Sequence, residues 1–173
     1  MTAQPEFSRL VNATQLPHTG RALSIEASGA ECAALARRFG LPAIAALSAE
    51  LHLAPLAGGR VRMTGQLSAR VTQVCVVALE PFAQEVEAPV AVVFVPRALM
   101  AEEGEGALDP DAADEEPYDG DRIDIGEAVA QTLSLALDPW PRNPDSDLPP
   151  AEGGGEEGEL PASPFAVLAR RRR

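Results

Sequence analysis

The sequence predicts an α+β fold in which an antiparallel β-sheet is covered on one face by two amphipathic helices. Apolar and polar residues alternate over residues 61–72, as on a strand with one buried face. Two other segments, residues 28–39 and 124–137, repeat apolar residues at helical spacing behind a capping signal. A length of 173 residues leaves room for one domain of ordinary size with tails.

The first predicted helix begins at a capping box. Ser28 is placed to cap the helix, and Glu31 is placed three residues later to reach back to it. Gly40 and Pro42 end the helix. The stripe expected to face the core consists of Cys32, Leu35, Ala36 and Phe39.

The second predicted helix has Asp124 as its N-cap and ends at Asp138-Pro139. Its apolar stripe continues over three turns, which is typical of a helix packed on a core. The stripe consists of Ile125, Ala128, Val129, Thr132, Leu133, Ala136 and Leu137.

At least three antiparallel strands are predicted between the helices. Alternation marks residues 47–53, 61–72 and 82–94, and turn signals separate these runs at Gly58-Gly59 and at residues 79–81. Gly65 lies on the apolar face, which indicates either a bulge or a close approach of two backbones. Shorter strands are expected over residues 6–11 and 21–27.

Domain organisation follows from composition. Residues 6–142 are predicted to form a single domain, into which an acidic loop at residues 101–122 is inserted, with ten acids among 22 residues. Residues 143–163, rich in Pro, Gly and acids, are a predicted disordered linker. Residues 164–173 form an apolar and basic tail, which we expect to be a solubilising end, a phosphate anchor or a docking segment.

The net charge of −12 is unevenly distributed along the chain. Residues 1–97 hold eight Arg and seven acids, residues 98–169 hold two Arg and 19 acids, and the last four residues are all Arg. An acidic chain is a poor non-specific nucleic-acid binder, but its near-neutral N-terminal half can still present arginines. The chain has no Lys, which excludes a P-loop lysine and a Schiff-base amine.

The sequence predicts a cytoplasmic protein with free thiols. Only Cys32 and Cys75 occur, too few for a disulfide scaffold. We see no signal peptide at the start of the sequence, and the longest apolar stretch, residues 90–95, is too short for a membrane span. No membrane partner is therefore expected.

Metal and catalytic signals are weak. The two cysteines do not have ligand-pair spacing, and His18 and His52 belong to no ligand motif. The acidic run over residues 109–114 lacks the glycine that a calcium loop requires at its sixth position. No nucleophile elbow or Gly-rich phosphate loop is present. We expect a non-enzymatic protein without a cofactor, a metal or a small-molecule substrate.

Arginines are the candidate RNA-binding residues, since they can contact phosphates. The alternative is structural: strand arginines would pair with Glu85 and Glu87, and arginines at the end of the first helix would favour its C-terminus. Aromatic residues are sparse, so we expect contacts to the RNA backbone rather than stacking on bases. The candidates are Arg37, Arg38, Arg60, Arg62, Arg70, Arg142, Arg170, Arg171, Arg172 and Arg173.

Several blocks together resemble the YceD family, which is linked to accumulation of large-subunit ribosomal RNA. The blocks are residues 65–75, 76–82, 90–94, 123–142 and 164–169. The motif positions within them are Gly65, Cys75, Glu80, Pro81, Phe94, Asp124, Gly126, Glu127, Pro139 and Arg142.

The resemblance implies a ribosome biogenesis factor without catalytic residues. Its expected partner is large-subunit ribosomal RNA or a pre-ribosomal particle. The alternative is an acidic adaptor that binds a basic ribosomal protein. Many family members carry a Cys-x-x-Cys where this chain has Cys75 and Ala78, so a metal site proposed for them is not carried over to this chain.

Overall fold

The computed structural model describes residues 5–100 and 114–146. The chain divides into two compact units, Met1–Asn143 and Pro144–Arg173. All the helices and strands named below belong to the first unit. The predictions for residues 101–113, for the linker beyond residue 146 and for the tail at residues 164–173 lie outside the described residues.

Two sheets and three helices make up the described part of the chain. A five-stranded sheet has the order β2-β3-β4-β5-β6, and a two-stranded sheet pairs β1 with β7. The strands are β1 (Leu10–Asn12), β2 (Arg21–Glu26), β3 (Ala43–Pro55), β4 (Val61–Val74), β5 (Pro81–Pro96), β6 (Asp114–Tyr118) and β7 (Arg122–Asp124). The helices are α1 (Gly29–Phe39), α2 (Arg97–Met100) and α3 (Ile125–Ala136).

The core lies between the large sheet and the two longer helices. Strands β3 and β4 alternate buried and exposed residues along most of their length, so each presents one apolar face. Helix α1 packs on β3, and α3 packs on β5. The predicted α+β class is therefore confirmed, together with the two amphipathic helices. We call the other side of the sheet the outer face.

Both helix starts have the predicted caps. The backbone amide of Glu31 donates to Ser28 Oγ, and the Ser28 amide donates to the Glu31 carboxylate at 2.7 Å, which completes the capping box. Gly40 ends α1 with a φ of 67°, in the left-handed region that favours glycine. Asp124 accepts from the amides of Gly126 and Glu127 at the start of α3.

Two glycines permit close backbone approaches, one between neighbouring strands and one between α3 and the N-terminal segment. A Cβ at Gly65 would collide with the backbone carbonyl of Glu50 on the neighbouring strand. A Cβ at Gly126 would lie 2.7 Å from the carbonyl oxygen of Phe7 and 2.8 Å from the amide nitrogen of Arg9. The expectation of a bulge or a close approach at Gly65 is thus met by the close approach.

The acidic insert is where the sequence prediction is wrong. Residues 114–118, predicted as part of a loop, form β6, which pairs with β5 in parallel rather than antiparallel fashion. The Tyr118 ring is buried and its hydroxyl donates to the Gly59 carbonyl at 2.6 Å. This anchor and the free edge of β5 outweigh the polar composition of the segment, because strand formation depends on the neighbours available.

Candidate functional site

Arg38, a candidate for RNA contact, joins three parts of the fold. Its guanidinium donates to the Glu127 carboxylate at 2.7 and 2.9 Å and to Glu6 at 3.0 Å. The end of α1 is thereby fastened to the start of α3 and to the N-terminal segment. Hydrogen bonding to Glu127 is the main cause that raises the pKa of Arg38. These contacts support the structural alternative for this arginine.

Arg9, which the sequence analysis did not single out, is a second such link. Its guanidinium donates to both carboxylate oxygens of Glu31, at 2.6 and 3.0 Å, and lies over the Phe7 ring. It also donates to the backbone carbonyls of Ser8 and Glu26 at 2.8 Å. Hydrogen bonds from Arg9 lower the pKa of Glu31 to about 2. The pair is separated by 22 residues, so no local pattern reveals it.

Arg62 and Arg70 lie on the outer face of β4, as the alternation predicts. Arg70 donates to Glu85 across the strand pair at 3.1 Å, which is the cross-strand pairing expected for one of the two carboxylates. No ion pair of Arg62 is found within residues 5–100 and 114–146. Eight residues of strand place the two arginines about 26 Å apart.

The candidate arginines of the described residues do not form one basic surface. Arg37 is exposed in the last turn of α1, Arg60 lies just before β4, and Arg142 is exposed after α3. The outer face also carries exposed carboxylates, of which only Glu85 lies directly opposite one of the two arginines. These are Glu26, Glu50, Glu85 and Glu87.

The end of the large sheet at which β4 turns into β5 has the features of a contact site. We define the junction as residues 74–80, which link β4 to β5, together with residues 138–143, which follow α3. The Val76 amide donates to the Pro141 carbonyl at 2.9 Å, and the Gln73 side chain donates to the Asp138 carbonyl at 3.0 Å. These bonds hold the two segments side by side.

Cys75 lies at the centre of the junction. Its thiol is fully buried and accepts from the amides of Ala78 and Asn143, each at 3.4 Å. Its own amide donates to the Glu80 carbonyl at 2.9 Å, which closes the turn before β5. The prediction that Cys75 is a small buried thiol is confirmed, and the thiol has a structural role in fixing the turn.

Apolar side chains project from this rigid centre into solvent. Trp140 is 72% exposed and Leu79 is 76% exposed. Trp140 is held between two prolines, and its amide donates to the Asp138 carboxylate at 2.8 Å. Leu79 has a φ of 58°, a conformation that is unfavourable for leucine and is maintained by surrounding contacts. Also exposed are Val74, Val76 and Val77.

The sequence analysis named Trp140 only as part of a family block. Its signal was a Pro-Trp-Pro run directly after a predicted helix end, where a buried aromatic residue would not be expected. Exposed large apolar side chains that cluster on a rigid surface indicate an interaction site. Arg142 lies two residues further on, so a cation and an aromatic ring are presented by the same segment.

Most family-motif positions that the structure describes have a structural reason. Gly65 and Gly126 allow close approaches, Asp124 caps α3, Glu127 holds Arg38, and Phe94 is buried in the core. Cys75, Glu80 and Pro81 form the turn. Glu80 and Pro81 are exposed in this turn, and Pro139 and Arg142 are exposed in the other segment of the junction.

The far edge of the large sheet is acidic. Asp114 and Glu115 are exposed on β6, and Glu116 is half-buried. Burial raises the pKa of Glu116, and the nearby carboxylates of Glu127 and Asp124 raise it further. Glu116 is therefore a half-buried carboxylate within electrostatic range of the carboxylates at the start of α3.

In the described ranges, no group of three or more His, Cys, Asp or Glu side chains is arranged to hold a metal ion. None of the described helices is both long and apolar enough to cross a bilayer.

Comparison with known proteins gives one match. The family model described as "Large ribosomal RNA subunit accumulation protein YceD" matches residues 63–170, more than half of the chain. The match includes most of β4, together with β5, α3 and both segments of the junction. No curated protein and no solved structure matches significantly.

Proposed function

The chain belongs to the YceD family, and from this premise we propose that it is a non-enzymatic ribosome biogenesis factor that promotes accumulation of large-subunit ribosomal RNA. It does so by contacting precursor RNA, either free or within an assembling large-subunit particle. The contact is made by the junction. The observation that carries this assignment is Trp140, which is exposed two residues before Arg142, on a hydrogen-bonded segment within the region that the family model matches.

The chemistry of the junction suits RNA that is single-stranded. An exposed indole can stack on an unpaired base, a contact worth about 1–3 kcal/mol by alanine substitution. Arg142 can neutralise a phosphate next to that base, and Arg70 lies toward the same end of β4. This differs from the expectation of backbone contact alone, which rested on the small number of aromatic residues in the sequence.

The non-enzymatic part of the proposal is supported by how the carboxylates of the helix layer are used. Glu31 and Glu127 are each held by an arginine at 2.6–2.7 Å, and Asp124 caps a helix. A catalytic acid or base needs access to a substrate proton. These groups instead stabilise the fold.

The test compares single variants in cells that lack the chromosomal copy of the gene. We expect Trp140→Ala and Arg142→Ala to lower the ratio of large-subunit to small-subunit ribosomal RNA. The matched controls are Leu135→Ala, which removes another exposed apolar side chain, and Arg62→Ala, which removes an exposed arginine far along β4. Neither control is expected to change the ratio.

Direct contact is tested with purified full-length protein and precursor large-subunit RNA. Binding should weaken as salt rises, and Arg142→Ala should reduce the slope of log K against log salt by about 0.7, the value for one phosphate of a single strand. If Trp140→Ala and Arg142→Ala bind and complement like the unmodified protein, the junction is not the RNA contact. If the unmodified protein binds no RNA, direct contact is wrong.

A second candidate, the acidic adaptor for a basic ribosomal protein, is favoured by the carboxylates of β6. The exposed pair Asp114 and Glu115 can attract a basic partner. The double variant Asp114→Asn, Glu115→Gln should then lose co-purification of a ribosomal protein, whereas Glu85→Gln, Glu87→Gln on the outer face should retain it. Retention by both variants would eliminate this candidate. Deletion of residues 101–122 is unsuitable because it removes β6.

A further inference from the structure

Strand β2 is the edge of the large sheet opposite the acidic edge at β6. Not one of its six residues is fully buried, and none is a proline. Nothing in residues 5–100 and 114–146 forms a ladder with its outer side. An open edge of this kind is a template on which another strand can pair.

The register identifies which backbone groups point outward. The Ala27 amide donates to the Leu47 carbonyl at 2.9 Å, so these two residues form a hydrogen-bonded antiparallel pair. Such pairs alternate along a ladder, so Arg21, Leu23 and Ile25 are also bonded to β3. The backbone groups of Ala22, Ser24 and Glu26 therefore point away from the sheet. The Glu26 carbonyl confirms this, since it accepts from Arg9 at 2.8 Å.

The space beside this edge has a mixed lining, in which Arg9, Asn12, Gln15 and Arg21 lie next to apolar side chains. A cleft of about 340 Å³ lies between β2 and the segment from β1 to residue 16. Leu23 and Ile25 reach it from the edge strand, and Val11, Leu16 and Ile125 line it from the other side. A strand that pairs with β2 would place every second side chain toward this cleft.

The alternate side chains of such a strand would lie on the outer face. There they meet Glu26 and Glu50, of which Glu50 is directly opposite Ser24. No arginine lies among the outward-facing residues of β2 and β3 in the described chain. Basic side chains would complement these carboxylates, because oppositely charged cross-strand neighbours attract.

We propose that β2 binds an extended segment of another protein as a sixth strand, with apolar side chains directed into the cleft and basic side chains over Glu26 and Glu50. This inference goes beyond the RNA contact, which uses the junction, and does not depend on it. A second copy of this chain fits less well, because antiparallel pairing centred on Ser24 would place Ala22 opposite Glu26 and would supply no cation.

The test uses full-length protein and a synthetic seven-residue peptide that alternates valine and arginine. We expect amide hydrogen exchange of Ala22 and Ser24 to be fast in the free protein and to slow at least tenfold when the peptide saturates. Leu23 and Ile25 should not change, because their amides already donate to β3. A peptide with glutamate in place of arginine, and one N-methylated at alternate residues, should give no protection.

Charge reversal supplies the matched variants. Glu26→Arg, Glu50→Arg should weaken binding of the valine–arginine peptide at least tenfold and strengthen binding of the valine–glutamate peptide. The control Glu85→Arg, Glu87→Arg reverses charge on β5 of the same face and should change neither. Ser24→Pro, which removes an outward amide, should abolish binding, whereas Ser24→Ala should retain it. If Ser24→Pro fails to fold, the double variant Glu26→Arg, Glu50→Arg still tests the proposal.

Three results would overturn the proposal. Slow exchange of Ala22 and Ser24 in the free protein at low concentration would mean that the edge is already covered by this chain. Protection that increases with protein concentration would identify a second copy as the occupant. Protection of β6 rather than β2 by the valine–arginine peptide would assign binding to the acidic edge. The variants Trp140→Ala and Arg142→Ala at the junction should leave all three readouts unchanged. Failure of this proposal can therefore be distinguished from failure of the RNA-contact proposal.

Discussion

Arginines in the helix layer and arginines on the outer face of the sheet are used in different ways. In the helix layer, Arg38 joins Glu127, which is 89 residues away in sequence and only 15% exposed. On the outer face, Arg70 pairs with Glu85 on the next strand, and the two side chains are 62% and 74% exposed. The first kind of pair connects separate elements. The second kind lies on the surface of two strands that backbone hydrogen bonds already hold together.

This difference shows which charges are available to a partner. Arg38 bonds two carboxylates, and Arg9 bonds one carboxylate and two backbone carbonyls, so either guanidinium would lose those bonds on contact with a phosphate. An exposed arginine can leave a solvated ion pair at little cost in stability, since such pairs contribute about 0–1 kcal/mol to the free energy of unfolding. Candidate RNA contacts should therefore be sought among exposed arginines such as Arg142, and not at Arg9 or Arg38.

The largest effect is expected at Asp124, where the helix layer is most tightly connected. Its carboxylate accepts from the Ser8 hydroxyl at 2.6 Å, from the Arg9 amide at 2.8 Å and from two amides of α3. Asp124→Ala removes a cap and long-range bonds to a charged group together, so we expect a loss of about 2–4 kcal/mol in the free energy of unfolding. Urea titration of the full-length protein measures it.

Asp124→Asn is the control for this prediction. It keeps an acceptor for the amides of α3 and should recover a large part of the loss. A loss below 1 kcal/mol for Asp124→Ala would mean that the N-terminal segment is held mainly by other contacts. The distinction between the two regions would then be weaker than the distances indicate.

Arg9→Met should have the next largest effect. It removes both bonds to Glu31 and those to two carbonyls, for an expected loss of about 1–2 kcal/mol at neutral pH. Because Glu31 has a folded pKa of about 2, below its usual 4.5, its stabilisation is complete above pH 4.5 and disappears as pH falls toward 2. Thermal unfolding from pH 7 to pH 2 should show a smaller acid-dependent loss for Arg9→Met than for the unmodified protein. Equal pH dependence would contradict the pairing.

The part of the fold that depends on local pattern was predictable from the sequence. Helices α1 and α3 have caps and stripes within a few residues, and β3 and β4 alternate along most of their length. The pairs made by Arg9 and Arg38 join residues far apart in sequence, so no periodicity encodes them. Strand β6 forms from an acidic segment because β5 offers an edge and Tyr118 finds a buried partner at Gly59.

The candidate site was less predictable than the fold for a related reason. The positions of the arginines on strand faces followed from alternation, but their separation required the register and the layer of each element. The exposure of Trp140 depends on how residues 138–143 return along the turn at Cys75, which is a long-range contact. Sequence alone therefore suggested an arginine surface and overlooked the junction.

Glu116 is the converse case, because its charge has no arginine partner among the described residues. It should therefore destabilise the fold, whereas the paired charges of the helix layer stabilise it. Burial raises the pKa of Glu116, so its charged form destabilises the fold at neutral pH, and this cost diminishes as pH falls below the folded pKa toward the usual 4.5. Glu116→Gln should raise the melting temperature at pH 7 by about 1–3 °C. The control is Glu115→Gln, which changes the exposed neighbouring residue and should alter the melting temperature by less than about 1 °C.

Arg70→Ala should have the smallest effect on stability. Its only described ion pair is solvent-exposed, so we expect a change of less than about 0.5 kcal/mol in the free energy of unfolding. Arg38→Ala, measured beside it, should cost about 1–2 kcal/mol because it separates α1 from α3. The double variant Arg70→Ala, Glu85→Ala isolates the coupling within the exposed pair, which should be below about 0.5 kcal/mol and should vanish in 1 M salt. A coupling that resists salt and is as large as that of Arg38 with Glu127 would contradict this prediction. The outer face would then also be built from structural ion pairs. Its arginines would be no more available to a partner than the arginines of the helix layer.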